Sequence, residues 1–338
     1  MIEKWIETKQ KDQRLSLAKG LLYLSSVSFK LAVMLRHLLY QWNVFSVSTA
    51  CIPIISVGNI VCGGTGKSEF VAKLIDDLAR ADLAILTRGY RSKRKGKSRK
   101  VVDVLDGDEP FMLQQRCKQN PVIIGKKREQ SAALAAFMGC KGCILDDGMQ
   151  YLKLKKDLQI VMIRAEDPFS KGFVPFGMRR ELISKLKSAH YIVIHGAESE
   201  RNYELVKREL LCYSSAKYFG TKYCLEKNKH MSGKKVGVFC GIGNPRLFID
   251  GLKSLGLTIV KKEILPDHKR LKNVIEFCQS CKTFGADVIV CTEKDYVKLN
   301  SEERAVVSPI EISMNISYDQ EVYHSLITQI RCMIEKGN

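Results

Sequence analysis

Residues 54–68 are Ile54-Ile-Ser-Val-Gly-Asn-Ile-Val-Cys-Gly-Gly-Thr-Gly-Lys-Ser68. An apolar run rich in β-branched residues, typical of a buried strand, ends here in a glycine-rich turn, and a helical pattern follows. In such a turn the backbone N–H groups can surround a polyphosphate, Lys67 can reach the β- and γ-phosphates, and the Ser68 hydroxyl can bind Mg²⁺. The segment therefore predicts a phosphate-binding loop and a nucleoside triphosphate ligand.

This loop departs at one position from the usual spacing of phosphate-binding loops. Val61 stands where that spacing has its first glycine, so the conformational freedom is shifted further into the loop. The helix that follows adds the positive end of its dipole to the attraction for phosphate. The predicted nucleotide-binding residues are Gly63, Gly64, Thr65, Gly66, Lys67 and Ser68.

The composition limits the partners and the compartment. A chain of 338 residues can hold one large α/β domain or two smaller ones, and its net charge of +19 favours nucleic acid, an anionic membrane surface or a phosphorylated substrate. The 12 cysteines are scattered, which is typical of free thiols in a reducing compartment. Two Cys-x-x-Cys pairs, Cys140/Cys143 and Cys278/Cys281, lack histidines at zinc-site spacing and are predicted to be core residues.

The segment 15–40 is apolar at helical spacing, but Lys19, Lys30 and Arg36 interrupt it. Its longest uncharged stretch is therefore shorter than the ~20 residues of a membrane span. The charged residues before it argue against a cleavable signal peptide. A basic amphipathic helix of this kind lies in a membrane interface or packs on a domain core, and the residues alone leave both interpretations open.

Further along the chain, apolar strands alternate with helices. Strands are predicted at 83–87, 121–124, 143–145, 159–163 and 191–195, and helices at 69–80 and 129–138. This alternation predicts an α/β fold with a mostly parallel, P-loop NTPase-like sheet flanked by helices. Between residues 88 and 100, eight of thirteen residues are basic, which predicts a mobile cationic loop.

A second, smaller α/β unit is predicted from about Lys222, with strands at 236–240 and 288–291 and the polar stretch 198–229 as the joint. The predicted domains are thus an N-terminal amphipathic helix (1–45), a P-loop core (46–220) and a smaller C-terminal domain (221–338).

Three acidic motifs carry candidate chemistry. Asp146 and Asp147 end an apolar strand, where one of them can hold Mg²⁺ as the second half of a P-loop site. Asp108 and Glu109 precede a helix whose first position is predicted to be Pro110; Asp108 could be a base and Glu109 a metal or cap ligand, although spacing alone favours a simple helix cap. Asp267-His268 places a carboxylate beside an imidazole, which suits either catalysis or a solvated loop.

These motifs, in this order, resemble the tetraacyldisaccharide 4'-kinases, the lipid A kinases of Gram-negative bacteria, over nearly the whole chain. The family's loop also lacks the first glycine, which accounts for Val61. Besides residues 56–68, the matching segments are Thr87-Arg-Gly-Tyr90, Gly107-Asp-Glu-Pro110, Asp146-Asp-Gly-Met-Gln150, Pro175-Phe-Gly-Met-Arg-Arg-Glu181, Gly241-Ile-Gly-Asn-Pro245, Pro266-Asp-His268 and Thr292-Glu-Lys-Asp295.

The resemblance implies a peripheral enzyme at the cytoplasmic face of the inner membrane that uses ATP and Mg²⁺ to phosphorylate the 4'-hydroxyl of a tetraacylated glucosamine disaccharide 1-phosphate. It implies contact with anionic lipid, no nucleic acid and no obligate protein partner. The implied catalytic residues are Lys67, Asp108 and His268, with the histidine polarising the aspartate. The predicted metal-site residues are Ser68, Asp146, Asp147 and Glu181, which the resemblance implies, and Glu109, which is proposed from its place in the acidic turn. The implied substrate-binding residues are Arg88, Tyr90, Arg128 and Tyr151.

The chain departs from the family pattern beside two of these motifs. Tyr151 replaces a histidine and Met149 an aromatic residue, which points to altered acyl or sugar recognition, and Phe176 and Met178 replace small residues or proline. Two other functions compete: a regulatory P-loop NTPase that assembles on nucleic acid, and a soluble small-molecule kinase or ligase whose first helix packs on the core. The chain lacks a recognisable RNA-binding or helix-turn-helix pattern, which weighs against the first.

Overall fold

The computed structural model describes residues 16–89, 92, 97–225, 233–267 and 269–336. Within these ranges the strands are β1 Ile54–Gly58, β2 Leu83–Thr87, β3 Arg99–Lys100, β4 Val122–Ile124, β5 Gly142–Asp146, β6 Leu158–Arg164, β7 Tyr191–His195, β8 Lys217–Leu225, β9 Lys235–Cys240, β10 Thr258–Ile264, β11 Val288–Thr292, β12 Ser308–Ile310 and β13 Ile312–Tyr318. The helices are α1 Ser16–Gln41, α2 Lys67–Leu78, α3 Asp108–Arg116, α4 Arg128–Phe137, α5 Glu200–Leu211, α6 Pro245–Ser254, α7 Val274–Thr283, α8 Glu293–Tyr296, α9 Ser301–Val306 and α10 Gln320–Lys336.

Nine of the described strands form a large sheet in the order β13-β8-β7-β6-β1-β5-β2-β4-β3. All neighbours in it pair in parallel except β3 with β4 and β13 with β8. The five residues of β1, and those of β2, β5 and β7, are all buried, as expected for strands covered by helices on both faces. The predicted α/β fold with a mostly parallel sheet is confirmed.

The order of the strands brings the predicted site residues together at the carboxyl ends of two neighbouring strands. β1 lies beside β5, with Val57 paired to Asp146. Both strands run in the same direction, so the loop after β1 and the acids after β5 meet at the carboxyl ends of the sheet.

A smaller sheet follows in the order β10-β9-β11-β12, with every pair parallel. Its core includes Val236, Val238 and Val290, packed against Phe248 and Leu252 of α6. The predicted second α/β unit therefore exists, but it comprises about residues 235–310.

The predicted domain boundary differs from the structure at both ends of the second unit. The stretch 198–229, predicted to be a joint, contains α5 and also β8, a strand of the large sheet. After the small sheet the chain returns: β13 pairs with β8, and α10 buries Leu326, Ile330 and Ile334 in the core of the large sheet. The range 221–338 is thus not one domain, because a long-range strand pairing carries its end back to the P-loop unit.

The predicted N-terminal helix is present as α1, and only one side of it contacts the rest of the protein. Val33 and His37 are buried, and the Ser26 hydroxyl donates to the Phe173 carbonyl at 2.8 Å. Leu21, Leu24, Leu31 and Leu35 are each more than half exposed, as are Trp42 and Val44 just beyond the helix.

Residues 19–41 are long and apolar enough to cross a membrane by length and composition, although core helices and signal sequences of other proteins meet the same criteria. Here only 17% of that apolar window is buried. The packing on Phe173 and the exposed leucines show a helix attached to the domain along one face, with an apolar face left uncovered among the described residues.

Candidate active site

The loop after β1 has the geometry of a phosphate-binding loop. Gly63 and Gly66 have φ angles of 101° and 77°, a region that favours glycine. A Cβ on Gly66 would also lie 2.8 Å from the Cε of Met314 and 2.9 Å from the hydroxyl of Tyr223. Inside the loop, the Asn59 side-chain amide donates to the buried Thr65 hydroxyl at 2.8 Å. The loop is thereby fixed in shape, and α2 begins at its end with its N-terminus available to an anion.

Ser68 and Asp146 meet at the start of α2. The Ser68 hydroxyl donates to Asp146 Oδ2 at 3.2 Å, whereas Asp146 Oδ1 is buried and has no hydrogen-bond partner among the described residues. Burial raises the pKa of Asp146 to about 7, against the opposing effect of Lys67. A buried carboxylate oxygen without a partner, next to a serine hydroxyl, fits a Mg²⁺ ligand pair because Mg²⁺ prefers oxygen donors and supplies the missing charge compensation.

Asp147 faces two cations instead. Lys67 Nζ lies 3.5 Å from Asp147 Oδ1, and the guanidinium of Arg180 donates to both carboxylate oxygens. Burial would raise the pKa of Asp147, but Lys67 and Arg180 outweigh it and hold that pKa well below its usual range. Arg180 also donates to the Asn59 side-chain oxygen. One carboxylate therefore orients the loop lysine and an arginine, and Asn59 joins this network to the loop.

Asp108 and Glu109 begin α3, so Pro110 occupies the third helical position and not the predicted first. Gly107, the residue before the helix, has a φ of 115°. Glu109 Oε1 lies 3.1 Å from Lys294 Nζ, and the same nitrogen lies 3.1 Å from Asp267 Oδ1. Glu109 is also close enough to Asp146 to contribute to the raised pKa of that carboxyl. The acidic turn is therefore tied to the small-sheet unit beside the P-loop.

Two predicted site residues, His268 and Tyr90, lie outside the described residues. The position next to the histidine is described: Asp267 belongs to the Lys294 network at the interface of the two units. Most of the predicted cationic loop between residues 88 and 100 is likewise outside the described ranges.

Glu181 is not placed as predicted. Instead of facing the other metal-site residues, its buried carboxylate accepts from His37 Nε2 at 2.6 Å and from Arg36 at 3.2 Å, both on α1. No group of three or more acidic, histidine or cysteine side chains that could share a metal occurs in the part of the chain that is described. A carboxylate occupied by two donors of the first helix has little capacity left for a metal ion.

Of the predicted substrate-binding residues, the structure brings Arg128 and Tyr151 together. The Arg128 backbone N–H donates to the Tyr151 hydroxyl at 3.1 Å, and its guanidinium lies 5.6 Å from the centre of the tyrosine ring. The tyrosine hydroxyl donates to Glu129, and burial together with this carboxylate raises the pKa of Tyr151 to about 12. Buried Arg128 Nε has no hydrogen-bond partner among the described residues. Arg88 is exposed after β2.

Sequence reasoning missed four participants. Asn59 and Glu129 carry no motif of their own, although Asn59 lies inside the loop segment that was singled out. Lys294 lies within the quoted Thr292–Asp295 motif without an assigned role. His37 lies in the first helix, where apolar spacing and three interrupting charges were noted but the histidine was not.

The predicted cysteine roles agree with the structure. All 12 cysteines are free thiols, and both Cys-x-x-Cys pairs are buried.

Comparison with known proteins gives a consistent result. A family model described as tetraacyldisaccharide-1-P 4'-kinase matches residues 18–331. The tetraacyldisaccharide 4'-kinase of Chlamydia pneumoniae is 33% identical over 86% of this chain and 85% of that protein. That of Elusimicrobium minutum is 33% identical over 89% of this chain and 88% of its own length.

A crystal structure of LpxK from Aquifex aeolicus in complex with ATP has the same fold. Its TM-score with this chain is 0.75 at 24% identity, over 94% of this chain and 99% of that one.

Proposed function

The chain belongs to the tetraacyldisaccharide-1-P 4'-kinase family, and we propose that it transfers the γ-phosphate of ATP to the 4'-hydroxyl of a tetraacylated glucosamine disaccharide 1-phosphate, a late step of lipid A biosynthesis. The observation that carries this proposal is the P-loop with the Ser68–Asp146 pair at its helix, in a chain of this family. Such an arrangement suits phosphoryl transfer, in which catalysis consists mainly of positioning and charge stabilisation.

In the proposed reaction the 4'-oxygen forms a bond to the γ-phosphorus while the bond from that phosphorus to the β,γ-bridging oxygen breaks. The hydroxyl proton passes to Asp108, which lies at the start of α3 beside the P-loop, and His268 polarises that base. Lys67 and the N–H groups of residues 63–68 hold the phosphates. Arg180 and Lys67, both oriented by Asp147, lie where they can offset the charge that spreads over the transferred group.

Ser68 and Asp146 would hold Mg²⁺, as the unpartnered Asp146 oxygen supports. The metal would neutralise phosphate charge when bound. Asp147 already compensates two cations, so we assign it the orientation of Lys67 and Arg180. Arg88, Tyr90, Arg128 and Tyr151 would hold the sugar and phosphate of the acceptor, with Tyr151 in the place of the family's histidine.

The acceptor is a lipid, and α1 offers a way to reach it. Its exposed leucines continue into Trp42 and Val44, and Lys19 and Lys30 lie on the same helix. An apolar face next to basic residues suits peripheral contact with anionic lipid at the cytoplasmic face of the inner membrane. A nucleic-acid partner would account for the net positive charge of the chain but not for the exposed apolar face of α1. A lipid surface accounts for both.

The kinase proposal is tested by transfer of label from [γ-³²P]ATP to the tetraacylated disaccharide 1-phosphate in detergent micelles. Lys67→Ala is the control, because it removes the phosphate-binding lysine. Labelled bisphosphate lipid that disappears with Lys67→Ala supports the proposal. ATP turnover without lipid labelling would mean that the acceptor is a different molecule.

Membrane contact is tested by flotation with vesicles of anionic phospholipid. Leu24→Glu/Leu31→Glu places two charges on the exposed face of α1 and is expected to abolish flotation. Leu205→Glu/Leu211→Glu is the matched control, because these leucines of α5 are exposed to a similar extent. Equal loss in both variants would contradict docking through α1.

A further inference from the structure

Arg180 and Glu181 are consecutive, yet their side chains bind different parts of the protein. Arg180 donates to Asp147 and Asn59 at the P-loop. Glu181 accepts from His37 and Arg36 on α1, and Oε1 also accepts from the Leu182 N–H at 3.0 Å. A single peptide unit thus connects the phosphate site to the first helix.

The backbone around this unit runs along the phosphate loop. The Arg180 and Glu181 N–H groups both donate to the Ile60 carbonyl, at 2.9 and 3.2 Å. The Cys62 N–H donates to the carbonyl of Met178, two residues before Arg180, at 2.6 Å. A shift of Glu181 would therefore also move the loop backbone and Arg180, which pairs with Asp147.

The hydrogen bond between Glu181 and His37 lies in the interior of the protein, where the loss of one partner is costly. Both side chains are almost completely buried, and the carboxylate accepts, so His37 Nε2 carries the proton. Burial alone would raise the pKa of Glu181, but the His37 hydrogen bond and the Leu182 N–H lower it, so the carboxylate is charged. Removing one partner of such a buried pair leaves an uncompensated charge. A neighbouring cation can then pair with the carboxylate instead.

Arg180 is a cation within electrostatic reach of Glu181, as its raised pKa reflects: burial would lower that pKa, but Asp147 and, to a smaller extent, Glu181 raise it. Without His37 and Arg36, the cations near Glu181 include Arg180 and Lys156, so Glu181 would compete with Asp147 for the Arg180 guanidinium.

We infer that His37 and Arg36 are positioning residues for the phosphoryl-transfer site: by binding Glu181 they leave Arg180 paired with Asp147. The consequence is that a correctly placed phosphate site depends on these two contacts of the first helix with Glu181. The kinetic part of this inference rests on the proposed function, whereas its geometric part concerns only the nucleotide site.

The main test compares His37→Ala, His37→Gln and Ser26→Ala in the full-length chain. Ser26→Ala is the matched control, because Ser26 is a buried polar anchor of the same helix to the segment that leads to Glu181, but does not touch Glu181. His37→Ala is expected to lower kcat about 10- to 100-fold, as for other residues that orient a catalytic ligand, with an unchanged KM for the lipid acceptor. His37→Gln, which retains a donor, should restore most of the loss, and Ser26→Ala should retain wild-type kcat.

Binding of a fluorescent ATP analogue at saturating Mg²⁺ provides a second readout that needs no lipid. His37→Ala should raise the Kd for the analogue, because Arg180 and Lys67 share Asp147 at the phosphate loop, whereas Ser26→Ala should leave this Kd at the wild-type value. Should His37→Ala not fold, Arg36→Ala removes the second contact at a side chain that is 36% exposed and therefore tolerant, and it should raise the same Kd.

Equal effects of His37→Ala and Ser26→Ala, or no rescue by His37→Gln, would overturn the inference and leave His37 as a structural anchor. If wild-type protein labels no lipid, the proposed function fails, and the titration with the ATP analogue still decides whether His37 positions the site.

Discussion

Replacing Lys294 with methionine should lower turnover by loosening the contact between the two α/β units. Lys294 Nζ lies 3.1 Å from Glu109 Oε1 in the large unit and 3.1 Å from Asp267 Oδ1 in the small one. Burial would lower the pKa of Lys294, but these two carboxylates raise it, so the ammonium stays charged. Methionine keeps most of the length and volume but removes the charge, so the two carboxylates would lose the ammonium that they share across the interface.

The magnitude follows from the exposure of the three groups. The side chains of Lys294, Glu109 and Asp267 are 16%, 40% and 31% exposed. A buried charged hydrogen bond contributes about 1.5–3 kcal/mol and an exposed ion pair about 0–1 kcal/mol, so about 1 kcal/mol for each contact is reasonable here. A loss of about 2 kcal/mol from the interface corresponds to a shift of about 30-fold in the equilibrium between units in contact and units apart.

The assay is steady-state phosphoryl transfer together with urea unfolding, and Lys207→Met is the control. Lys207 Nζ also bridges two carboxylates, Asp319 at 2.5 Å and Glu204 at 3.5 Å, and its side chain is 25% exposed, but all three belong to the large-sheet unit. Both variants should lose comparable stability, while only Lys294→Met loses kcat, by up to about 30-fold. Wild-type kcat in Lys294→Met, or an equal loss in Lys207→Met, would refute the reasoning.

Three further predictions concern the large-sheet unit. Burial lowers the pKa of His195 to about 4, from about 6.5 in the unfolded chain. Unfolding therefore takes up a proton between these pH values, and the free energy of unfolding should fall by about 3 kcal/mol as the pH drops from 6.5 to 4. Urea unfolding of His195→Gln should lack this pH dependence. Tyr151→Phe removes the hydroxyl that donates to Glu129 and accepts from the Arg128 N–H. The KM for the lipid should rise about fivefold, as expected for the loss of one hydrogen bond, while the KM for ATP stays unchanged in the labelling assay. Chelation of Mg²⁺ should stop transfer reversibly; in Mg²⁺ titrations Asp146→Asn should need far more metal, whereas Asp147→Asn should chiefly raise the KM for ATP.

Local patterns predicted the centre of the large sheet well. β7 was predicted with its observed limits, as was β2, because buried parallel strands form short apolar runs between turns. The placement of β13 could not be predicted in this way. Its partner β8 lies on the far side of the small sheet in sequence, and nothing local specifies that an antiparallel pair there returns the chain to the first unit.

The same limit applied to the site. The loop and the acids after β5 could be predicted because each motif carries its own chemistry. The contact between Arg128 and Tyr151 was not predicted, because the two residues came only as substrate-binding positions implied by the family resemblance. Glu181 was assigned to the metal site by the family resemblance, whereas in the structure its carboxylate binds the first helix. Its partner His37 is 144 positions away, and nothing in the local pattern of that helix links it to Glu181.

The adjacent aspartates after β5 show how the fold gives different roles to identical residues. Asp147 has a φ of 57°, which turns its side chain away from that of its neighbour toward Lys67 and Arg180. Two cations already compensate this carboxylate, so a metal ion would add little. Asp146 remains on the buried strand, with a raised pKa and one oxygen without a partner in the described chain, so bound Mg²⁺ would relieve an existing cost of burial. The proposed roles, a direct metal ligand at Asp146 and an orienting carboxylate at Asp147, therefore rest on backbone conformation, which the sequence Asp-Asp does not encode.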